Sequence, residues 1–245
     1  MQSKTFFKMN NKILWSLMLL FQFQLMPAQN DFNNLDNNGK KNGLWKGFHP
    51  DSKRLRFEGN FEHGTETGIF RFFDNSDANT LIATRTFTKN RTVATNVFFD
   101  SKGNILSQGS TLNKLNEGIW TYFHSASKDI KMIENYHNGK LSGVKKVFYK
   151  KNILAEESRY SNDVKNGLSK IYTDKGIIME EAYFKNGIYE GLAIFREPSG
   201  KIASKGYFVD GGKKGKWQFF ENGKLKKEIM MPEKIKVRKP EEKKE

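Results

Sequence analysis

The chain has 245 residues, a formal net charge of +15 and no cysteine. The lack of cysteine excludes disulfides, thiolate metal sites, a cysteine nucleophile and a lipidated N-terminal cysteine. Glycine and phenylalanine each occur 21 times against 5 prolines, a composition that favours turn-punctuated β structure over disorder.

The N-terminal residues have the pattern of a targeting segment. Three lysines within residues 1–12 precede an apolar stretch at 13–21, and the small residue Ala28 follows shortly afterwards. This pattern predicts a signal peptide over residues 1–28 and export to the periplasm, cell envelope or medium. An uncleaved anchor is the alternative, although the stretch is shorter than the roughly 20 apolar residues of a membrane span. Met9 is an alternative initiator.

A short unit repeats along the rest of the chain in steps of 24 to 26 residues. The residues that open the eight copies are Gly43, Gly68, Ala94, Gly118, Gly143, Gly167, Gly191 and Gly215. Below, positions are counted from this opener, so that Leu44 stands at +1 of the first copy. Four residues before the openers stand Gly39, Gly64, Asn90, Lys114, Gly139, Asp163, Gly187 and Gly211. The glycines predict tight connections between copies. A phosphate-binding loop would need a helix behind the glycines, and no helix is predicted.

Aromatic residues recur at two positions of the unit. Position +5 holds Phe48, Phe73, Phe99, Phe123, Phe148, Tyr172 and Phe220, with Arg196 as the exception, and position +2 holds Trp45, Phe70, Trp120 and Trp217 in four copies. In a strand, positions +1, +3 and +5 share one face and +2 and +4 the other. We therefore expect the +5 residues to form a structural ladder and Trp45, Trp120 and Trp217 to be exposed.

A second turn about nine residues after the opener, for example Asp174-Lys175-Gly176, makes each copy a β-hairpin. The prediction is an all-β fold, an elongated single-sheet meander of about eight tandem hairpins and roughly 16 strands. The array spans residues 39–231, after a polar leader at 29–38 and before a charged, disordered tail at 232–245. Residues 74–116 deviate most from the repeat, either as a hinge or as drifted copies.

The unit Asn-Gly-x-x-x-Gly-x-Trp-x-x-Tyr/Phe, followed by Gly-x-Ile/Leu-x-x-Glu-x-x-Tyr/Phe, resembles the MORN repeat. It is similar to the bacterial variant found in proteins labelled YwqK-type antitoxins, and the best-matching copies are Gly118–Gly139, Gly167–Gly187 and Gly191–Gly211. The resemblance implies an elongated, twisted sheet of hairpins that contacts proteins or lipids without shared catalytic residues. The antitoxin label implies a chain that binds and neutralises a toxin.

No constellation of residues predicts catalysis, a metal site or a cofactor. His49 and His124 share position +6 but lie three hairpins apart, too far to share a zinc ion, and the turn residues His63 and His137 fail by the same argument. The paired carboxylates Glu156-Glu157 and Glu180-Glu181 come within the spacing that glycosidases use. Their recurrence together with Glu58, and lysines on neighbouring strands, instead indicates cross-strand charge pairing. We expect a protein that is not an enzyme.

Binding is thus the predicted function, with an unidentified protein partner, and strand addition or self-association at the open sheet edges is one route. The alternatives are an antitoxin-like neutralising binder, or attachment to an anionic lipid or glycan surface, because the chain without residues 1–28 keeps a net charge of +12. Nucleic acid is the least favoured polyanion for an exported protein. The candidate contact residues are Trp45, Phe70, Trp120, Trp217, Lys145, Lys146, Lys213, Lys214 and Lys216.

Overall fold

The computed structural model describes residues 31–88 and 92–232. The predicted signal peptide, the boundary residue Asn90 and the predicted tail beyond Pro232 lie outside this range. Within it, no helix is long and apolar enough to cross a membrane.

The described residues form one antiparallel sheet of 18 strands. The first half contains β1 (Asn34–Leu35), β2 (Lys41–Phe48), β3 (Leu55–Glu62), β4 (Thr65–Phe73), β5 (Leu81–Phe87), β6 (Val93–Phe99), β7 (Ile105–Leu112), β8 (Leu115–Phe123) and β9 (Ile130–His137). The second half contains β10 (Lys140–Leu141), β11 (Gly143–Phe148), β12 (Leu154–Ser161), β13 (Val164–Tyr172), β14 (Ile178–Lys185), β15 (Ile188–Arg196), β16 (Ile202–Val209), β17 (Gly212–Glu221) and β18 (Lys224–Met231). A single 3₁₀ turn covers Lys150–Asn152.

The strands follow one another in meander order. Each pairs with its neighbours along the chain, and the two-residue β10 and the following β11 both pair with β9. Apart from the two-residue strands β1 and β10, the described strands make eight hairpins, one for each predicted copy. The predicted fold is confirmed.

The opening glycine allows a β-bulge at the junction between two copies. Gly68, Gly118 and Gly191 have φ angles of 66°, 69° and 92°, and the strand register shifts beside each of them. Glycine is the one residue that adopts this left-handed backbone conformation without a steric penalty. Where the third copy has Ala94, β5 and β6 pair without a register shift. The junction that lacks the opening glycine therefore also lacks the bulge.

Glycines four residues before the opener attach each turn to the preceding copy. The backbone amides of Gly64, Gly139 and Gly187 donate to the carbonyl oxygens of Lys41, Asn116 and Lys165 at 2.8 to 2.9 Å. Each donor and its acceptor are separated by nearly one repeat length, so the connections stack regularly along one side of the sheet.

The two faces of the sheet carry different side chains. We call the side with positions +2 and +4 the tryptophan face, and the side with +1, +3 and +5 the charge face. The +5 residues have equivalent registers, because Phe48, Phe73 and the other +5 residues each pair with a leucine or isoleucine of the return strand. Lys205, which pairs with the +3 residue Gln218, holds its Nζ 5.7 Å from the ring centre of Phe220. The +3 and +5 residues thus share the charge face.

Candidate interaction surfaces

The expectation that the +2 tryptophans are exposed is wrong for Trp120 and Trp217. Trp217 is 0% exposed, Phe70 2% and Trp120 5%, while Trp45 is half-buried. These residues form the core of the tryptophan face, so Phe70, Trp120 and Trp217 cannot serve as the exposed contact residues that the sequence predicts. Even where +2 is small or polar, as in Ser169 and Ala193, the residue is buried.

The burial of these rings has a cause on the neighbouring strand. Facing Phe70, Trp120 and Trp217 stand glycines, at which a Cβ atom would overlap the ring. The glycines are Gly59, Gly109 and Gly206. The indole N–H groups of Trp120 and Trp217 also donate to the carbonyl oxygens of Ser110 and Tyr207, at 2.9 and 3.1 Å. Glycine has no side chain and so leaves room for the ring on the neighbouring strand. These glycines were the signal in the sequence that the rings are buried.

The candidate lysines are engaged within the sheet. Lys145 Nζ lies 3.1 Å from Glu134, Lys146 Nζ 3.3 Å from Glu157 and Lys216 Nζ 2.7 Å from Glu228. Lys213 Nζ lies 4.2 Å from the ring centre of Trp217, a cation–π contact. Lys214 has a partner as well. Each of the five candidate lysines therefore has a partner within the protein.

Three of the recurring glutamates pair across strands on the charge face. Glu157 contacts Lys146, and Glu181 lies 3.1 Å from Lys170 and raises the pKa of that lysine by hydrogen bonding and by its charge. Glu58 lies 4.0 Å from Lys46 and 3.6 Å from Arg71. The predicted cross-strand charge pairing is confirmed.

Glu156 and Glu180 point to the opposite, tryptophan face. Lys165 donates to Glu156 at 3.2 Å, and the Tyr189 hydroxyl donates to Glu180 at 2.8 Å. The strand registers place Glu156 and Glu180 on one side of the +2 row, and Lys165 and Tyr189 on its other side. Each pair therefore spans the +2 row. The residues beneath them are small and fully buried, namely Ser158, Ser169, Ala182 and Ala193. We call these two pairs the bridges.

The bridges shift the ionisation of their own members. Burial opposes ionisation of Glu156, but the hydrogen bond from Ser158 Oγ and the charge of Lys165 outweigh it and lower the pKa of Glu156. Burial, together with the hydrogen bond to Glu180, raises the pKa of Tyr189 to about 12. At neutral pH the acid is charged and the phenol is neutral, which suits both hydrogen bonds.

Glu134 extends this polar region by one copy. It is buried, accepts a hydrogen bond from the Tyr136 hydroxyl at 2.8 Å and pairs with Lys145. Burial and the hydrogen bond to Glu134 raise the pKa of Tyr136. Each of these charged groups has a partner, so the arrangement is a hydrogen-bonded network on the tryptophan face.

The histidines make local contacts. His49 Nε2 lies 3.2 Å from the carbonyl oxygen of Phe73, and His124 Nε2 lies 3.1 Å from that of Phe148, so both connect +6 of one copy to +5 of the next. His63 and His137 pair with Asp36 and Glu117 at 2.7 and 3.0 Å. In the part of the chain that the structure describes, no cluster of three or more histidine, aspartate and glutamate residues could hold a metal.

One open groove lies on the charge face of the last two copies. Its volume is about 680 Å³ and its lining mixes apolar and basic side chains. They include Leu192, Ile194, Lys205, Tyr207, Val209 and Lys216. Tyr207 is 58% exposed at the groove and its neighbour in the same row, Tyr183, is 49% exposed. Two predicted contact residues, Lys214 and Lys216, line the groove. The sequence prediction missed the two tyrosines, because neither occupies a position that the repeat pattern emphasises.

This arrangement defines an open, hairpin-built repeat sheet, and the family comparison agrees with it. The family model described as "MORN repeat variant" matches residues 165–186 and 213–231. Among curated proteins, none matches the chain. One similar solved structure is a protein of unknown function from Bacteroides fragilis, with 8% identity over 80% of this chain and 96% of the other and a TM-score of 0.13. At that TM-score the similarity supports no inference.

Proposed function

We propose that the chain is an exported, non-enzymatic repeat protein that binds a protein partner through the groove around Tyr207. The observation that carries the proposal is the exposure of large apolar side chains on one face of an open sheet. Tyr207 and Tyr183 stand in the same row, with Leu192 between them. Exposed aromatic groups in a pocket are typical of the anchors that dominate protein interfaces.

A lysine of the groove favours a partner segment that is both apolar and acidic. Lys205 lines the groove beside its apolar floor, so an acidic side chain on the partner would gain charge complementarity at the rim. Attachment to an anionic lipid or glycan surface is the weaker candidate. It depends on a dense field of free cations, whereas Lys145, Lys146 and Lys216 each already lie against a carboxylate.

The test is capture of a partner from the producing cell's own envelope fraction by the tagged full chain, at low and at high salt. We expect a specific protein that stays bound at high salt, because burial of apolar surface is not screened. The variant Tyr207→Ser should retain about one tenth as much of it or less, the effect of losing an interface anchor.

The matched control is Ile119→Ser, because Ile119 is 62% exposed on the same face but lies outside the groove. This variant should bind as the parent does. Retention on anionic vesicles or glycan that disappears in salt, with no protein captured, would contradict the proposal and favour surface attachment. Capture of a toxic protein whose activity the chain suppresses would assign the antitoxin-like alternative.

A further inference from the structure

Arg85 occupies a place in the sheet that glycine, serine or alanine fills in five of the other seven copies. It pairs in register with Phe70 on one side and Asn96 on the other, in the +2 row of the tryptophan face. The equivalent residues of the neighbouring return strands are Gly59 and Gly109. The long, positively charged side chain of Arg85 therefore projects from the tryptophan face. It lies at the junction that Ala94 opens, where the two strands pair without a bulge.

The guanidinium is held from below by buried polar groups. Arg85 Nε donates to Asn96 Oδ1 at 2.9 Å, and Asn96 is 3% exposed. The Asn96 amide in turn donates to Thr111 Oγ1 at 3.2 Å and to the carbonyl oxygen of Ala94 at 3.3 Å. These contacts fix the side-chain amide of Asn96, and through it the direction of Arg85. A cation held in this way loses little freedom when it binds a ligand.

Two grooves meet at Arg85 and differ in polarity. The first has a volume of about 480 Å³ and is mainly apolar, with Phe72, Ile82, Ala83, Phe98 and Leu106 in its lining. The second has a volume of about 280 Å³, and its lining includes the polar residues Glu66, Thr111, Asn113 and Lys114 beside Phe87. Arg85 lines both. The first volume is within the usual range for small-molecule sites.

The positive charge of Arg85 is not neutralised by a carboxylate. Among the residues described by the structure, no acidic oxygen lies within ion-pair distance of this guanidinium, although Glu66 lines the second groove together with Arg85. The guanidinium carbon of Arg85 lies 5.8 Å from the ring centre of Phe72, which orients the cation beside the apolar groove. A guanidinium whose Nε is already bonded keeps two terminal nitrogens that can grip a carboxylate.

We propose that this junction is a binding site for an amphipathic carboxylate, a hydrocarbon chain or ring that carries one carboxylate group. The hydrocarbon occupies the groove between Phe72 and Phe98, and the carboxylate accepts hydrogen bonds from Arg85. Lys114 adds positive charge at the polar end. The site lies on the opposite face of the sheet from the groove around Tyr207, and it does not depend on the proposed function.

Calorimetric titration of the full chain with octanoate and, separately, with 1-octanol tests the proposal. The two compounds share a hydrocarbon body and differ in the charged head. We expect octanoate to bind about tenfold more tightly or better, because a charge-assisted hydrogen bond contributes that much. In Arg85→Gln the Kd for octanoate should rise by about the same factor, while the Kd for 1-octanol should stay nearly constant.

Two further variants make the result decisive. Arg85→Lys keeps the charge without the planar fork and should bind octanoate with intermediate affinity; it carries the test if Arg85→Gln does not fold. Arg71→Gln removes an arginine from the charge face of the adjoining strand and should leave octanoate binding unchanged. Equal affinities for octanoate and 1-octanol, no octanoate binding at all, or unchanged binding in both Arg85 variants would each overturn the proposal.

Discussion

The tryptophan face seals its central row in two different ways. Around Trp217, in the last copy, one large ring fills the space above Gly206 and contacts Phe208 at a ring distance of 5.1 Å. One and two copies earlier, the +2 residues are Ala193 and Ser169, and the bridges Tyr189–Glu180 and Lys165–Glu156 close over them instead. Both regions leave the residues of the central row inaccessible to solvent.

The difference shows that the copies share a closed central row but do not share the residue at position +2. A filled region gains from apolar burial and dispersion, which are insensitive to salt and to pH. A bridged region gains from hydrogen bonds and charge, which respond to both. Two copies with the same backbone should therefore differ in how firmly and under which conditions they stay closed.

The largest effect is expected where a ring is removed from the filled region. Trp217→Ala should lower the free energy of unfolding by about 3 to 5 kcal/mol, the range for deleting a buried aromatic side chain from a core. Denaturant unfolding followed by circular dichroism measures it, and the loss should concentrate in the last copies because a repeat array unfolds locally. Trp45→Ala is the control, since Trp45 is only half-buried and should cost clearly less. Equal losses for both variants would contradict the distinction.

A smaller effect is expected from filling the space beneath the ring. Gly206→Ala places a Cβ where the Trp217 ring lies, which should cost about 1 to 3 kcal/mol by overpacking. In the double variant Gly206→Ala with Trp217→Ala the added methyl should cost nothing further, and a double-mutant cycle by denaturant unfolding measures this coupling. Strictly additive losses would show that Gly206 is required for another reason.

Sequence reasoning recovered the architecture because the repeat itself constrains it. The opener glycines, the aromatic +5 row and the second turn of each copy are local signals, and the hairpins, the meander order and the paired glutamates Glu58, Glu157 and Glu181 follow from them. The deviation at Ala94 was visible in the sequence as well. Its consequence, a junction without a bulge, required the observed register.

The contact surfaces were not predictable in the same way. Whether Trp120 and Trp217 are buried or exposed depends on which residue lies opposite them on the neighbouring strand. The register between the two strands sets that residue, and the register is a property of the folded sheet. In a sheet with only one layer, moreover, a large side chain is buried by its row neighbours and not by a second layer. Arg85, Asn96 and Thr111 are separated in sequence and combine into one hydrogen-bonded group only across three strands.

The smallest effect separates the two regions by pH. The pKa of Glu156 is lowered in the folded chain, so its contribution to stability is present above its ordinary value of 4.5 and is lost as pH falls through the lowered pKa. Lys165→Met should thus destabilise the chain at about pH 7 by less than about 1 kcal/mol, because the pair is partly exposed. Relative to the parent, that deficit should shrink in acid, whereas the deficit of Trp217→Ala should not.

Urea unfolding of all three chains at neutral and acidic pH measures both. Other acidic groups with lowered pKa values, such as Asp36 and Glu117, titrate alike in parent and variants and cancel in the difference. A Lys165→Met deficit that stays constant with pH would show that the bridge closes by packing alone, and the two regions would then differ only in composition.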